Sequence, residues 1–332
     1  MRVAVLGAGS WGTTVATLAA ARNHTTLWAR GPDVASEIRE KHTNTGYLPG
    51  FELPEQLSAT SDMEEAVRDA DVLIAGVPSH GFRQVLETAV PHVRPWIPIV
   101  SLTKGFEAGT LLRMTEVIKD LLPGHPAAAL TGPNLAKEIM AGQAAASVIA
   151  TEDLSVAAAL QAVLRRGVFR IYMNHDVIGC EVAGALKNVI AIAAGIAQGQ
   201  SVGDNTRAAV ISRGVAELSR LGVAMGGEAP TFAGLAGMGD LIATCVSPQS
   251  RNRYVGEQLG LGRPLADILA EMNMVAEGVK TTAAVLELAA RHHVEMPLAS
   301  FVGRVLYEGA RPGDLVPELM LRKAKPELHG MR

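Results

Sequence analysis

The chain has 332 residues, more than one hydrophobic core ordinarily organises, so two domains are expected. Apolar residues make up 48% of it and aromatics only 4%, an Ala-rich composition with ample material for a helical core. The formal net charge is −3, with acids and bases interspersed and no basic block, which argues against nucleic acid or a membrane as the main partner.

In chain order, Val3–Leu6 is a short apolar run, followed by a glycine turn and an Ala-rich helix through Ala21. A strand so near the first residue leaves no room for a signal peptide. Thr25–Ala29 reads as a second strand, and Pro32 suits the first turn of a second helix. Ser61-Asp62-Met63-Glu64 has the form of a capping box opening a short acidic helix. "DVLIAGV" (Asp71–Val77), Ile97–Leu102 and Ala127–Leu130 read as strands buried on both faces. Ala145–Ala150 and Phe169–Tyr172 follow as strands around a helix near Leu154–Arg165. This alternation predicts an α/β domain with a parallel, doubly wound sheet.

After about Asn174 the strand signal stops. Asp176 to Gln198 reads as one long helix, with Lys187 and Asn188 in its middle, buried rather than membrane-spanning. Further helices are expected near Arg207–Leu221, Ser250–Leu259, Leu265–Glu271, Lys280–Arg291 and Pro297–Glu308. The expected fold is thus a doubly wound (Rossmann) domain over 1–175 and an all-helical domain over 176–332. The charged tail from about Arg322 is expected to be loose. Cys180 and Cys245 stand far apart in no ligand spacing, as expected of reduced thiols in a cytoplasmic protein.

"GAGSWG" (Gly7–Gly12) fits a dinucleotide-binding turn because a strand precedes it, a helix follows, and a second strand comes about 20 residues on. Gly7 would permit the tight turn, Gly9 the approach of a pyrophosphate to the backbone, and Gly12 the packing of helix on strand. The free amides of the helix N-terminus would face the anion. The plainer alternative is a strand-to-helix turn with no ligand. At the end of the second strand, where NAD-specific sites place an acid, this chain has Arg30, whose charge and donor fork suit a 2′-phosphate. NADPH is therefore expected, with NADH as the alternative.

Lys187 stands alone among small and apolar residues, and burial turns a lysine into a workable acid or base near neutral pH. Lys104 follows a buried strand, on the side where doubly wound sheets bind ligands. Gly132-Pro133-Asn134 repeats that placement. "GLAGMGD" sets three glycines before Asp240, so that the backbone can approach something closely and aim one carboxylate. Ser250, Arg251 and Asn252 at a helix start form a candidate phosphate-ester site, or, in the plainer reading, a capped surface helix. Glu277-Gly278 is either a cap or a cofactor contact. The nine histidines are scattered without ligand spacing, so no metal site is expected.

Taken together, "GAGSWGTTVA", "YLPG", "SLTKGFE", "LTGPNLAKEI", "ALKNVIAIAAGI", "GLAGMGDLIATC", "SRNRYVG" and "AEGVKT" are specific. With them, the chain resembles the bacterial NAD(P)-dependent glycerol-3-phosphate dehydrogenase family from its first strand to about Leu321. The resemblance implies that Ser10, Trp11, Arg30, Ala136, Val275 and Glu277 contact the cofactor. It implies that Lys104 touches cofactor and substrate, and that Lys187 is the catalytic acid/base. Gly132, Asn134, Asp240, Ser250, Arg251 and Asn252 are implied substrate contacts, Arg251 also approaching the cofactor. The helical half is implied to be a substrate domain of the 6-phosphogluconate-dehydrogenase C-terminal type. Three positions depart from the family: Asn134, where Ser or Thr is frequent; Gly46, where Arg is common; and Gly31, where a second basic residue is frequent. The two glycines remove positive charge near the cofactor.

The expected reaction is reversible hydride transfer between the nicotinamide and C2 of dihydroxyacetone phosphate, giving sn-glycerol 3-phosphate for phospholipid synthesis. A homodimer is expected from the apolar helical half. Competing readings are a dehydrogenase of like architecture acting on a 3-hydroxy acid or sugar acid, and a non-catalytic NADPH sensor.

Overall fold

The computed structural model describes residues 1–272 and 275–321, so the tail from Arg322 lies outside the described residues. The chain divides into two compact units, Met1–Val177 and Ile178–Arg332.

The first unit runs β1 (Arg2–Leu6), α1 (Ser10–Ala20), β2 (His24–Trp28), α2 (Pro32–Lys41), β3 (Leu57–Thr60), α3 (Met63–Val67) and β4 (Val72–Ala75). It continues with α4 (Phe82–Ala89), β5 (Ile99–Ser101), α5 (Met114–Leu121), β6 (Ala127–Thr131), α6 (Ala136–Met140), β7 (Ala145–Ala150), α7 (Leu154–Leu164) and β8 (Phe169–Asn174). The eight strands form one sheet in the order β3-β2-β1-β4-β5-β6-β7-β8. Side chains alternate across each strand, which gives the sheet two cores. Val3, Val5 and Leu27 pack with Val15, Ile38 and Leu160 from α1, α2 and α7. Ala4, Leu6 and Leu73 pack with Val67, Leu86 and Ile118 from α3, α4 and α5. Helices on both faces explain why the central strands are apolar throughout rather than alternating.

Two local expectations need correction. The sheet is not parallel throughout, because β7 pairs antiparallel with β6 while β8 again runs parallel to β7. A parallel return needs a crossover that travels the length of the strand. The link from β6 to β7 carries only the five-residue α6. That helix spans about 7.5 Å against roughly 16 Å for a five-residue strand, so the chain re-enters the sheet from the end it left. At α3 the cap is Asp62, not Ser61: its carboxylate accepts the Glu65 N–H at 3.0 Å. The strand β3, four residues of mixed polarity, has too weak a signal to be predicted.

The second unit is helical: α8 (Val177–Gly199), α9 (Asp204–Ala224), α10 (Ala229–Ala233), a π-helical turn at Leu235–Gly239, α11 (Asp240–Val246) and α12 (Arg251–Gly260). It ends with α13 (Leu265–Ala270), α14 (Glu277–Arg291), α15 (Pro297–Tyr307) and α16 (Leu315–Leu321). By length and hydropathy α8 could cross a membrane, but 94% of its most apolar stretch is buried inside the protein. Gly195 and Gly199 of α8 face Gly256 and Gly260 of α12 so closely that a Cβ at Gly256 would lie 2.0 Å from the Ile192 carbonyl oxygen. The seam therefore brings backbone against backbone. It sets the register of the helix that begins with Arg251 and Asn252 against the helix that carries Lys187 and Asn188.

Candidate active site

Gly7 adopts φ +108°, a left-handed conformation that L side chains rarely take. Its N–H donates to the Trp28 carbonyl at 2.9 Å. A Cβ on Gly12 would lie 2.0 Å from the Gly7 carbonyl oxygen, so helix and turn touch there. Gly9 differs: it is the N-cap of α1, brings no side-chain cap, and a Cβ on it would meet nothing within 4 Å. Two of the three glycines thus serve the protein's own packing, and the third faces open space over a helix N-terminus. That gap fits a pyrophosphate.

The turn is braced from outside. Asn44, fully buried, donates from Nδ2 to the Ala8 carbonyl and to Thr13 Oγ1, both at 2.9 Å. Ser10 Oγ donates to the Tyr47 carbonyl at 2.8 Å. Trp11 stands edge-on to Phe169, and its indole N–H is buried with no partner among the described residues. Arg30 is exposed just past β2, and Gly31 caps α2.

Strands β1, β4, β5 and β6 are parallel, so their C-terminal ends share one edge of the sheet. Lys104 and Gly132 lie on that same edge, where Lys104 Nζ donates to the Gly132 carbonyl at 2.8 Å. Gly132 has φ +114°. Asn134 Oδ1 accepts from Ser147 Oγ, leaving a buried Nδ2 with no protein partner among the described residues. Ala136 is the first residue of α6. An unpaired buried donor is costly, and here it lies on the ligand-binding edge.

In the helical unit, Lys187 is 7% exposed and Asp240 1%. Lys187 Nζ lies 2.5 Å from Asp240 Oδ1 and 2.7 Å from Thr244 Oγ1, which itself donates to the Asp240 carbonyl. The ammonium is thereby held by a carboxylate and a hydroxyl one helical turn apart on α11. Burial pushes the neighbouring Cys245 thiol up to about 12, which keeps it protonated and unreactive. Of the glycines before Asp240, Gly237 packs against protein: a Cβ on it would lie 2.2 Å from the Phe232 carbonyl oxygen.

Asn252 Nδ2 donates to Asn188 Oδ1, and its Oδ1 accepts the Gly278 N–H, each at 2.9 Å. Its amide therefore ties α8, α12 and α14 together. Ser250 caps α12 by accepting the Arg253 N–H at 3.2 Å. Arg251 is exposed and donates to the Val275 carbonyl at 2.7 Å. Glu277 opens α14. Sequence reasoning missed Thr244 and Asn44. The i, i+4 spacing from Asp240 to Thr244 was the available signal for the first; Asn44 had none.

A doubly wound sheet with such a gap, joined in one chain to a helical unit holding a buried lysine–aspartate pair, defines the class of two-domain dinucleotide-dependent dehydrogenases. The comparisons narrow it. The NAD-dependent glycerol-3-phosphate dehydrogenase N-terminus profile matches residues 2–157, and the C-terminus profile matches residues 176–317. A glycerol-3-phosphate dehydrogenase (NAD(P)+) from Sphingopyxis alaskensis is 55% identical over 329 residues, 99% of each chain. One from Mycobacterium avium is 49% identical over 99% of this chain and 97% of its own. The crystal structure of glycerol-3-phosphate dehydrogenase from Coxiella burnetii superposes with TM-score 0.93 at 37% identity, covering 97% of this chain and 99% of that one. This chain belongs to the NAD-dependent glycerol-3-phosphate dehydrogenase family.

Proposed function

We propose that the chain is an NAD(P)-dependent sn-glycerol-3-phosphate dehydrogenase that reversibly reduces dihydroxyacetone phosphate. The observation that carries this reading is the buried Lys187–Asp240–Thr244 cluster, a proton donor held ready in a chain whose relatives bear that activity along their whole length. When bound, the nicotinamide supplies the hydride. Lys187, as ammonium, gives its proton to the alkoxide oxygen that develops at C2. Asp240 and Thr244 fix the position of Nζ and offset its charge. Lys104 contacts substrate and cofactor and orients the substrate. Arg251, with Ser250 and the first amides of α12, holds the phosphate, whose remote binding energy positions the carbonyl. Gly132 and Asn134 complete the substrate contacts, and the unpartnered Asn134 Nδ2 supports that assignment. Asn252 acts by orienting Asn188 and the start of α14.

Gly9, Ser10, Trp11, Arg30, Lys104 and Ala136 are the cofactor contacts of the first unit, with Gly7 and Gly12 shaping the turn that presents them, and Arg251, Val275 and Glu277 are those of the second. Arg30 favours NADPH through a 2′-phosphate, while Gly31 and Gly46 leave room for NADH. We take the protein to be a cytoplasmic homodimer; light scattering of the purified chain checks the dimer.

The test is the initial rate of dihydroxyacetone phosphate reduction with NADPH and NADH side by side, in wild type and Lys187→Ala. Turnover with the wild type, none with the variant, and retained NADPH binding are expected. Near-normal turnover in Lys187→Ala overturns the assignment of the proton donor. Faster oxidation of 3-hydroxy acids than of glycerol 3-phosphate overturns the substrate.

A further inference from the structure

The strongest polar assembly outside these contacts lies behind the Lys104 loop. Arg83, near the start of α4, directs its whole guanidinium at two carboxylates. Nε and one terminal nitrogen grip Glu107 at 2.7 and 3.1 Å, and the other reaches Asp120 of α5 at 2.6 Å. Glu107 is three residues beyond Lys104, and its side chain is only 13% exposed. Thr110 Oγ1 adds a fourth contact at 2.6 Å. The bidentate fork is the geometry that makes an arginine–carboxylate pair both strong and directional. Arg83 holds the Glu107 carboxyl below the usual carboxylate range, so it is ionised at neutral pH.

The clamp acts on a short, anchored segment. Upstream of Lys104, Thr103 Oγ1 donates to the Val77 carbonyl at 2.5 Å. Downstream, Phe106 is buried and bridges Arg113, and the Glu107 N–H donates to the Leu112 carbonyl at 2.9 Å. Lys104 thus sits between two fixed points; backbone bonds hold the second, and Arg83 adds a hold on its Glu107 side chain. Unclamped, the Glu107 carboxylate would be a mobile anion within a few residues of an ammonium that must serve substrate and cofactor. Three residues of chain span at most about 10 Å, within reach of two long side chains.

We propose that Arg83 is a positioning residue for the reaction: it locks Glu107 away from Lys104 and so keeps that ammonium directed at the ligand edge. This rests on the assignment of Lys104 to substrate and cofactor. Two effects are combined, the geometric anchoring of the loop and the neutralisation of a competing charge, and they separate by mutation. Arg83→Met removes both. Glu107→Gln removes the competing charge and weakens only the anchor. The double variant Arg83→Met/Glu107→Gln leaves no charge unpaired between these two positions.

The experiment is steady-state kinetics of dihydroxyacetone phosphate reduction, NADPH binding by nicotinamide fluorescence, and thermal melting, on the full chain. Arg83→Met is expected to lower kcat/KM for dihydroxyacetone phosphate about tenfold with NADPH affinity held. Glu107→Gln is expected to lose less. The double variant is expected to recover kcat/KM to within roughly threefold of wild type, measured well below the melting temperature of every variant so that the recovery is not one of stability. Arg83→Lys keeps the charge but not the fork, is expected to fall between wild type and Arg83→Met, and carries the test if the methionine variant does not fold. Wild-type kinetics in Arg83→Met, or in Arg83→Lys where that variant stands in, overturns the clamp. So does a double variant as slow as Arg83→Met. Lys104→Met separates the two levels: if it keeps wild-type turnover, the assignment of Lys104 falls and the clamp with it. If it is inactive while Arg83→Met is normal, only the clamp falls.

Discussion

Replacing Gly9 by alanine separates a nucleotide-binding turn from a merely structural one. Gly9 sits at φ −70° and ψ 174°, extended backbone that alanine adopts without strain. The added Cβ meets nothing within 4 Å, so the fold should accept it. A glycine-to-alanine change at a compatible site stabilises by about 0.4–1 kcal/mol through the unfolded chain. The melting temperature should therefore hold or rise slightly. The methyl group, however, projects into the space over the N-terminus of α1, where a pyrophosphate would approach the amides. Losing one hydrogen bond to a charged group costs about 1.5–3 kcal/mol, and each 1.4 kcal/mol is about tenfold in affinity. A rise of roughly 10- to 100-fold in the NADPH Kd follows, read by nicotinamide fluorescence beside a thermal melt. Gly12→Ala is the contrast: its Cβ would stand 2.0 Å from the Gly7 carbonyl oxygen, so it should lower stability whether or not nucleotide is present. An unchanged NADPH Kd in a well-folded Gly9→Ala would refute the cofactor role of the gap.

Arg30→Ala should weaken NADPH binding about tenfold while leaving the NADH Kd within roughly twofold, checked by the same titration with both nucleotides. Equal losses would show that the arginine does not read the 2′-phosphate. Glu217 of α9 is fully buried and accepts the Leu298 and Ala299 N–H groups at 2.8 and 3.2 Å, with Arg213 Nε at 3.7 Å. Burial pushes its carboxyl up from 4.5 to about 7, against the pull of those two N–H groups and of Arg213 and Arg220. Because the folded value lies above the unfolded one, its contribution is complete below about pH 4.5 and is lost as pH rises through about 7. The loss is at most roughly 3 kcal/mol. Melting temperatures should thus decline from pH 5 to 8 in wild type and change less in Glu217→Gln; parallel profiles would disprove the assignment. In Gly256→Ala, ordinary contact at 3.4 Å requires α12 to retreat by about 1.4 Å from α8. That carries the 2.9 Å Asn252–Asn188 bond past hydrogen-bonding distance. Both melting temperature and kcat/KM should fall, and an unchanged melt would show that the seam is not tight.

What the sequence by itself determined is what local chemistry encodes. An apolar run followed by Gly7-Ala8-Gly9-Ser10-Trp11-Gly12 could only be a strand turning tightly into a helix. The end of strand signal near Asn174 marks the place where helices take over, and α8 follows from Val177. Lys187 was legible as a candidate because an isolated lysine among alanines and isoleucines is expensive unless it is used. Tertiary structure decided everything that depends on a partner distant in the chain. The direction of β7 is invisible in its own residues, since apolar periodicity is the same whichever way a strand runs. The separate duties of Gly7, Gly9 and Gly12 were legible from their places in the turn, but the partners were not: the Gly76 and Gly7 carbonyls occupy the space beside Gly7 and Gly12, and Gly9 alone of the three faces open space. Asn252, singled out beside Arg251 as a ligand contact, also ties helices together, because the seam of α8 and α12 brings Asn188 to it across 64 residues. Thr244 matters because α11 turns the same face as Asp240 towards Lys187. Local sequence fixes which elements form, whereas burial and pairing fix which of their side chains remain available for chemistry.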